Sequence, residues 1–507
     1  MHRIVAEVLQ RAVGTFLRPF ATDKVLAALL EVELQGVRGR VRIAGNQLHE
    51  EIIRKFLLDW AAEHKIEAFA DETGNVIMRV PATPGYEDLK TVVLQGHMDM
   101  VPQKNADVDH DFLKDPIETW IDGEWLRAKG TTLGADDGLG VAFAMAVAES
   151  PEVKHGPIEI LVTYDEETGM TGAQALKSGV LKGDILINID SETEGELYVG
   201  CAGGLDTNAS ARYRRKKEPR AHLRYSLAVK GCQGGHSGMD IILCRANANR
   251  LMARVLLPLL DRCGVKLIDL EGGTLRNAIP REAFANVYVP KKKLAAAKRT
   301  VARIAKALKN EFAATDPKLE VVFEPCESDG SKYVSEEAAL RFVRCIMACP
   351  DGVERMSDNM PGMVETSNNL AMVKIADGEF KLSTLMRSSV DSAKDALASR
   401  IRSVFELAGV KVRFTGGYSG WAPNASSEIL AVMKNVYKKM FGKEPLVMAI
   451  HAGLECGILS GAYPHWDMVS MGPTLLSPHS PDERAYIPSV QKVWDFLQEV
   501  LVNIPRK

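Results

Sequence analysis

The chain has 507 residues, 46% of them hydrophobic and 25% charged, with a formal net charge of only −3. That length exceeds one ordinary domain, and the near-neutral balance gives no bulk electrostatic reason to bind nucleic acid or an anionic membrane. No apolar run approaches the roughly 18 residues of a membrane span, and eight scattered cysteines without a Cys-x-x-Cys pair point to a reduced, cytoplasmic protein.

Residues 1–20 are amphipathic but include Glu7 and lack the apolar stretch of a secretion signal. Apolar residues at helical spacing predict helices at 23–34 and 48–64. A strand pair is expected over 67–80, turning at Gly74-Asn75. A buried strand follows at 91–97. The polar stretch 101–127, with Pro102, Pro116 and Gly123, is long for a plain connection and suggests a functional loop or flap. Next come a small-residue helix (138–149), a strand (157–162), a helix (171–179) and a strand (184–188). This alternation predicts an α/β unit, a mixed sheet with helices on both faces.

After Gly203-Gly204 the pattern changes. A strand at 224–230, a helix at 244–260, strands at 265–270 and 283–289, a helix at 293–313 and a strand at 319–323 spell a ferredoxin-like β-α-β-β-α-β unit. It partly recurs in a helix at 336–348, with Ser335 placed to cap it, strands at 370–376 and 380–386, a helix at 391–407 and a strand at 410–414. The division expected is a first domain formed by 1–205 and 421–507, with an α+β domain of two ferredoxin-like halves inserted at 206–420. The basic run 212–217 reads as a solvated connection.

Several polar residues sit at predicted strand ends, where open α/β sheets bind ligands. His97 and Asp99 leave the same face of a strand, so Asp99 can orient the ring while its other nitrogen meets a metal. Asp136 precedes the small-residue helix. Glu166 and Glu167 stand side by side after a strand, Asp190 follows another, and His479 lies in the proline-held Ser477-Pro478-His479-Ser480-Pro481 loop. Each alone has a plain alternative: an exposed strand end, a helix cap, a solvated loop. Together they suit a hydrolytic site holding two divalent metals, since imidazole and carboxylate are the ligands such ions take. Asp136 could bridge two cations, and one of the glutamates could serve as general base. The glycines at 200–204 do not form the dinucleotide-binding fingerprint.

The stretches LQGHMDMV, TTLGADDGLGVA, TYDEETGM, NIDSE, GGHSGMDI, HAGLECG and GPTLLSPHSPDE, in this order, resemble the aminoacyl-histidine dipeptidases. These are also called cytosolic non-specific dipeptidases or peptidase D, of the dizinc exopeptidase clan that includes the carnosinases. The resemblance implies a dipeptidase acting on free-C-terminal dipeptides, Xaa-His and β-Ala-His types included, with related hydrolases of the clan or a non-catalytic binding protein as alternatives. It implies two metal ions, zinc foremost and cobalt or manganese otherwise. His97 and Asp190 would hold one, Glu167 and His479 the other, and Asp136 would bridge them. Asp99 would orient His97 and Glu166 would be the general base. In the inserted lid domain His236 would stabilise the oxyanion and Asn277 would add a polar contact. Arg387 would grip the substrate carboxylate, and His451 and Glu455 would line the pocket. A cis Asp136-Asp137 peptide is implied, although relatives often have Asn where Asp137 stands. Small peptides are the implied partners, and both a monomer and a homodimer stay open.

Overall fold

The computed structural model describes residues 47–507 apart from residue 113. The helix expected at 23–34 lies outside those residues. The chain divides into two compact units. The first comprises residues up to Gly200, Asn424–Ala449 and Ile458–Lys507, and the second Cys201–Pro423 and Ile450–Gly457. Residues 450–457, which carry His451 and Glu455, therefore group with the second unit, not with the returning part of the first.

In the first unit an eight-stranded sheet runs Glu67–Ala70, Val76–Val80, Ile158–Thr163, Val92–His97, Ile185–Asn188, Asp467–Ser470, Glu196–Cys201, Leu446–Ile450. Its centre is parallel: Val92–His97 pairs in parallel with Ile158–Thr163 and with Ile185–Asn188, and Asp467–Ser470 joins the latter in the same sense. These strands are buried along their length, which is why they read as unbroken apolar runs. Their registers, His97 opposite Thr163 and Gln95 opposite Asn188, put the three carboxyl ends at one edge. The flanking hairpin is antiparallel, so the sheet is mixed.

The stretch 101–127 is not a plain loop. It ends in a hairpin, Thr119–Asp122 and Trp125–Ala128, whose second strand pairs with Arg484–Tyr486 in a separate four-stranded sheet. The two-residue connection Gly123-Glu124 opens on glycine, a hairpin signal, and Gly123 takes the left-handed φ of 64° that such a turn needs.

The second unit holds a nine-stranded sheet. One half orders its strands Glu320–Pro325, His222–Lys230, Ala283–Pro290, Lys266–Gly272. The other orders them Val364–Ala376, Glu379–Ser388, Gly203–Arg212, Lys411–Tyr418. Both are ferredoxin-like, and Lys266–Gly272 pairs with Val364–Ala376 to join them. The second half takes its first strand from Gly203–Arg212, ahead of the first half in the chain, which explains why its pattern recurred only in part. Ser335 stands at the cap position of the Glu336–Ala348 helix without a side-chain capping bond. Asn247 does cap the Ala248–Cys263 helix through Asn249 and Arg250.

Helices pack on this sheet through a core that includes Phe342 and Phe380, whose rings stack 4.4 Å apart and are fully buried. Phe342→Ala is expected to destabilise the second unit by about 3–5 kcal/mol in denaturant unfolding; a change under about 1 kcal/mol would mean this stack is not part of the core.

Candidate metal centre

The carboxyl edge of the first sheet supplies most of the centre. His97 ends one central strand, Glu166 and Glu167 follow Ile158–Thr163, and Asp190 lies two residues past Ile185–Asn188. Asp136 stands at the start of Ala135–Glu149, preceded by Gly134 at φ 70°, and the Asp136-Asp137 peptide is cis. His479 comes from the 477–481 loop, also at positive φ.

These side chains converge on the Asp136 carboxylate. His97 Nε2 is 3.2 Å from Asp136 Oδ1 and 3.4 Å from Asp190 Oδ1. His479 Nε2 is 3.1 Å from Asp136 Oδ2 and 3.0 Å from Glu167 Oε1. Each oxygen of one carboxylate thus faces a different imidazole, and each imidazole faces a second carboxylate. His97, Asp136 and Glu167, and likewise His97, Asp137 and Asp190, have ligand atoms close enough to share one ion. Ring orientation comes mainly from the main chain: His97 Nδ1 is 2.9 Å from the Asp99 carbonyl oxygen and 3.5 Å from its carboxylate. The Asp99 carboxylate also accepts the amides of Glu166 and Glu167, both at 3.0 Å.

Charge balance tests whether cations fit. Burial pushes Asp190 and Glu192 up to about 7, with neighbouring acids adding to the effect at Glu192. Burial also raises Asp137, helped by the Asp190 charge. The hydrogen bonds to Asp136 and Glu167 push His479 up to about 10. Burial would lower His97, but Asp190, Asp136 and Asp99 outweigh it and raise the ring well above its usual range. Acids and imidazoles raised together mark a buried cluster in which carboxylates outnumber the groups that can balance them. Divalent cations supply the balancing charge, and the donor set of imidazole and carboxylate suits them.

In the second unit the other predicted residues cluster. Gly235–His236 pairs with Ala278–Ile279, and Ser237 donates its amide to the Asn277 carbonyl at 2.8 Å. His236 Nδ1 accepts the amides of Gly238 and Met239 at 3.3 and 3.1 Å. Burial and the Arg387 charge lower this ring, so it is neutral with its proton on Nε2. His451 Nε2 is 2.7 Å from Ser367 Oγ; burial, then Arg387 and His236, drive its pKa down to about 3. Arg387 is buried, and its nitrogens reach Ser237 Oγ and Tyr418 OH, both at 3.4 Å. A Cβ on Gly238 would lie 2.0 Å from the His451 carbonyl, so only glycine allows this packing. Glu455 is wholly buried.

The profile for Peptidase family M20/M25/M40 matches residues 93–232 and 296–503. The chain is 45% identical over 459 residues, 90% of its length and 94% of the relative's, to the cytosol non-specific dipeptidase of Escherichia coli strain K12. The chain belongs to peptidase family M20/M25/M40. The profile for the peptidase dimerisation domain matches residues 227–316. The crystal structure of aminoacylhistidine dipeptidase from Vibrio alginolyticus superposes with a TM-score of 0.89 at 43% identity, covering 96% of this chain and 97% of that one. Aminopeptidase PepT from Bacillus cereus ATCC 10987 shares the fold, with a TM-score of 0.53 at 16% identity over 96% of this chain and 99% of that one. Among the described residues no helix is long and apolar enough to cross a membrane.

Glu483 is among the residues of this family member's site that the sequence did not reveal. Glu483, buried, takes the amides of Leu133 at 2.7 Å and Gly134 at 3.2 Å on Oε2, and those of Ala135 at 2.9 Å and Asp136 at 3.5 Å on Oε1. It fixes the turn that presents Asp136. Its place four residues after His479 was the available signal. Glu483→Ala strands these amides and is expected to cost about 3 kcal/mol or more in unfolding free energy, at about 1–3 kcal/mol per buried donor left unpaired. A loss below about 1 kcal/mol would show that the turn holds itself.

Proposed function

We propose that the cluster around Asp136 holds two divalent ions, zinc foremost with cobalt or manganese as alternatives, and that Glu166 is the general base of peptide hydrolysis. The chain is a metallo-dipeptidase of the M20/M25/M40 family. The observation that carries the two-ion reading is the opposed pairing of the Asp136 oxygens with His97 and His479. His97 and Asp190 would hold one ion, Glu167 and His479 the other, and Asp136 would serve both. When bound, such ions acidify water toward neutral pH and polarise the scissile carbonyl.

The protein's own groups do the rest. His97 keeps its ring direction through the Asp99 carbonyl. Asp99 holds the amides of Glu166 and Glu167, so base and ligand leave one fixed turn. Glu166 takes the proton of the attacking water and passes it to the leaving amine, a step worth roughly 10²–10⁴-fold. The neutral His236 offers its Nε2–H to the carbonyl oxygen as charge develops there, and Asn277 adds a polar contact to the substrate. Arg387, whose nitrogens reach two hydroxyls at 3.4 Å, takes the substrate's free carboxylate in a bidentate pair. His451, held neutral beside it, and Glu455 complete the substrate site. The substrates are small dipeptides with a free C-terminus, Xaa-His and β-Ala-His included, and the reaction belongs in the cytoplasm. The dimerisation-domain match supports a homodimer.

A panel of dipeptides, tripeptides and N-acyl amino acids, assayed with and without chelator, tests this reading. Turnover should favour dipeptides and vanish on chelation. Glu166→Ala should retain both metals and lose at least about 10²-fold in kcat, whereas Asp136→Ala should lose metal by elemental analysis. Full activity in the first variant, or unchanged metal content in the second, would overturn the respective role.

A further inference from the structure

The turn that carries Glu166 and Glu167 is gripped by more than Asp99. Four successive amides point into buried side-chain oxygens. Tyr164 donates to Asn75 Oδ1 at 3.0 Å, Asp165 to Glu50 Oε1 at 2.9 Å, and Glu166 and Glu167 to the two oxygens of Asp99 at 3.0 Å. Asn75, Glu50 and Asp99 are all buried. Asn75 is itself locked: its Nδ2 donates to Asp71 Oδ2 at 2.7 Å and to the Gly172 carbonyl at 3.0 Å, which leaves Oδ1 facing the Tyr164 amide.

The grip meets a strained backbone. Asp165 sits at φ 55° and Met170 at φ 52°, a left-handed conformation that residues other than glycine keep only where the surroundings over-determine it. The amide that Glu50 accepts is that of Asp165. No bond within the turn replaces it: the Asp165 side chain is engaged with Thr168 and Thr171 further along. Gly172 adds a steric reason, since a Cβ there would lie 2.3 Å from Asn75 Oδ1. A buried carboxylate costs desolvation, and Glu50 meets that cost with two partners from this one turn, the Asp165 amide on Oε1 and the Tyr164 hydroxyl. An apolar side chain would fill this part of the Gln47–Glu63 helix face at less cost, so the carboxylate is explained by the hold it takes on residues 164 and 165.

We propose that Glu50 and Asn75 are positioning residues of the reaction: by holding the amides of Asp165 and Tyr164 they fix the strained turn, and so set where the side chains of Glu166 and Glu167 stand. The proposal rests on Glu166 being the general base. Neither residue touches substrate; both act through the backbone.

The test compares kcat, KM and metal content at saturating divalent ion for the full chain and five variants. Glu50→Ala and Asn75→Ala should each lower kcat about 10–100-fold, the usual cost of losing a residue that orients a metal ligand. KM should stay within about twofold, as for an interaction felt only in the transition state. Glu50→Gln keeps an oxygen for the Asp165 amide and should recover kcat to within about threefold of the parent. Leu57→Ala hollows the buried face of the same helix and should lower thermal stability with kcat within about threefold. Glu166→Ala separates the two readings. If it is inactive while Glu50→Ala and Asn75→Ala keep full kcat, the positioning role is wrong and the base assignment stands. If Leu57→Ala loses as much kcat as Glu50→Ala, the contribution is general stability and the proposal is again wrong. If Glu166→Ala is active, the base assignment fails and takes this proposal with it. Should Glu50→Ala not fold, Asn75→Ala and Glu50→Gln carry the same comparison.

Discussion

In the first unit a buried carboxylate stands between two imidazoles, and the surrounding chain is arranged to keep it there. Like charges brought this close repel strongly in a low-dielectric interior, so Asp136, Asp190, Glu167 and Glu192 can share the sheet edge only with positive charge among them. Burial raises Asp190 and Glu192, with neighbouring acids adding to it at Glu192, and the carboxylates in turn raise His97 and His479. Binding of cations would release protons from these groups and restore the acids, which couples occupancy of the centre to pH.

Holding such a cluster takes rigid backbone. The two turns that present its acids are each secured by buried carboxylates from distant parts of the chain: Glu483 for residues 133–136, and Glu50 with Asp99 for residues 165–167. Asp137 serves in the same way, accepting the amides of His97 and Gly140 at 3.1 Å. A Cβ at Gly96 or Gly140 would come within 2.3 Å of its oxygens, so glycine at both positions makes room for it. Orientation of metal ligands by hydrogen-bonded outer groups is a general device; here those groups hold main-chain amides more than ligand side chains.

Much of this was legible in the sequence. The central strands showed as continuous apolar runs because both faces are covered, and the ligand residues followed them because a parallel sheet gathers its carboxyl ends at one edge. The strand Gly203–Arg212 was missed because it completes a half-domain whose other elements lie beyond residue 335, a pairing that local pattern does not carry. Glu50, Asn75 and Glu483 were missed for a related reason: a buried carboxylate or amide that serves a backbone amide 89 to 350 residues away looks locally like any surface residue. The i, i+2 spacing showed the Asp99 carboxylate beside the His97 ring, while the amides of Glu166 and Glu167 that it also accepts are invisible to that spacing.

The most direct measurement is anomalous diffraction from crystals of the metal-loaded protein, collected at the absorption edge of the bound ion. The account predicts two peaks about 3.5–4 Å apart, one beside His97 and Asp190, the other beside Glu167 and His479, with one oxygen of Asp136 on each. A single peak, or two peaks that do not share Asp136, would contradict it.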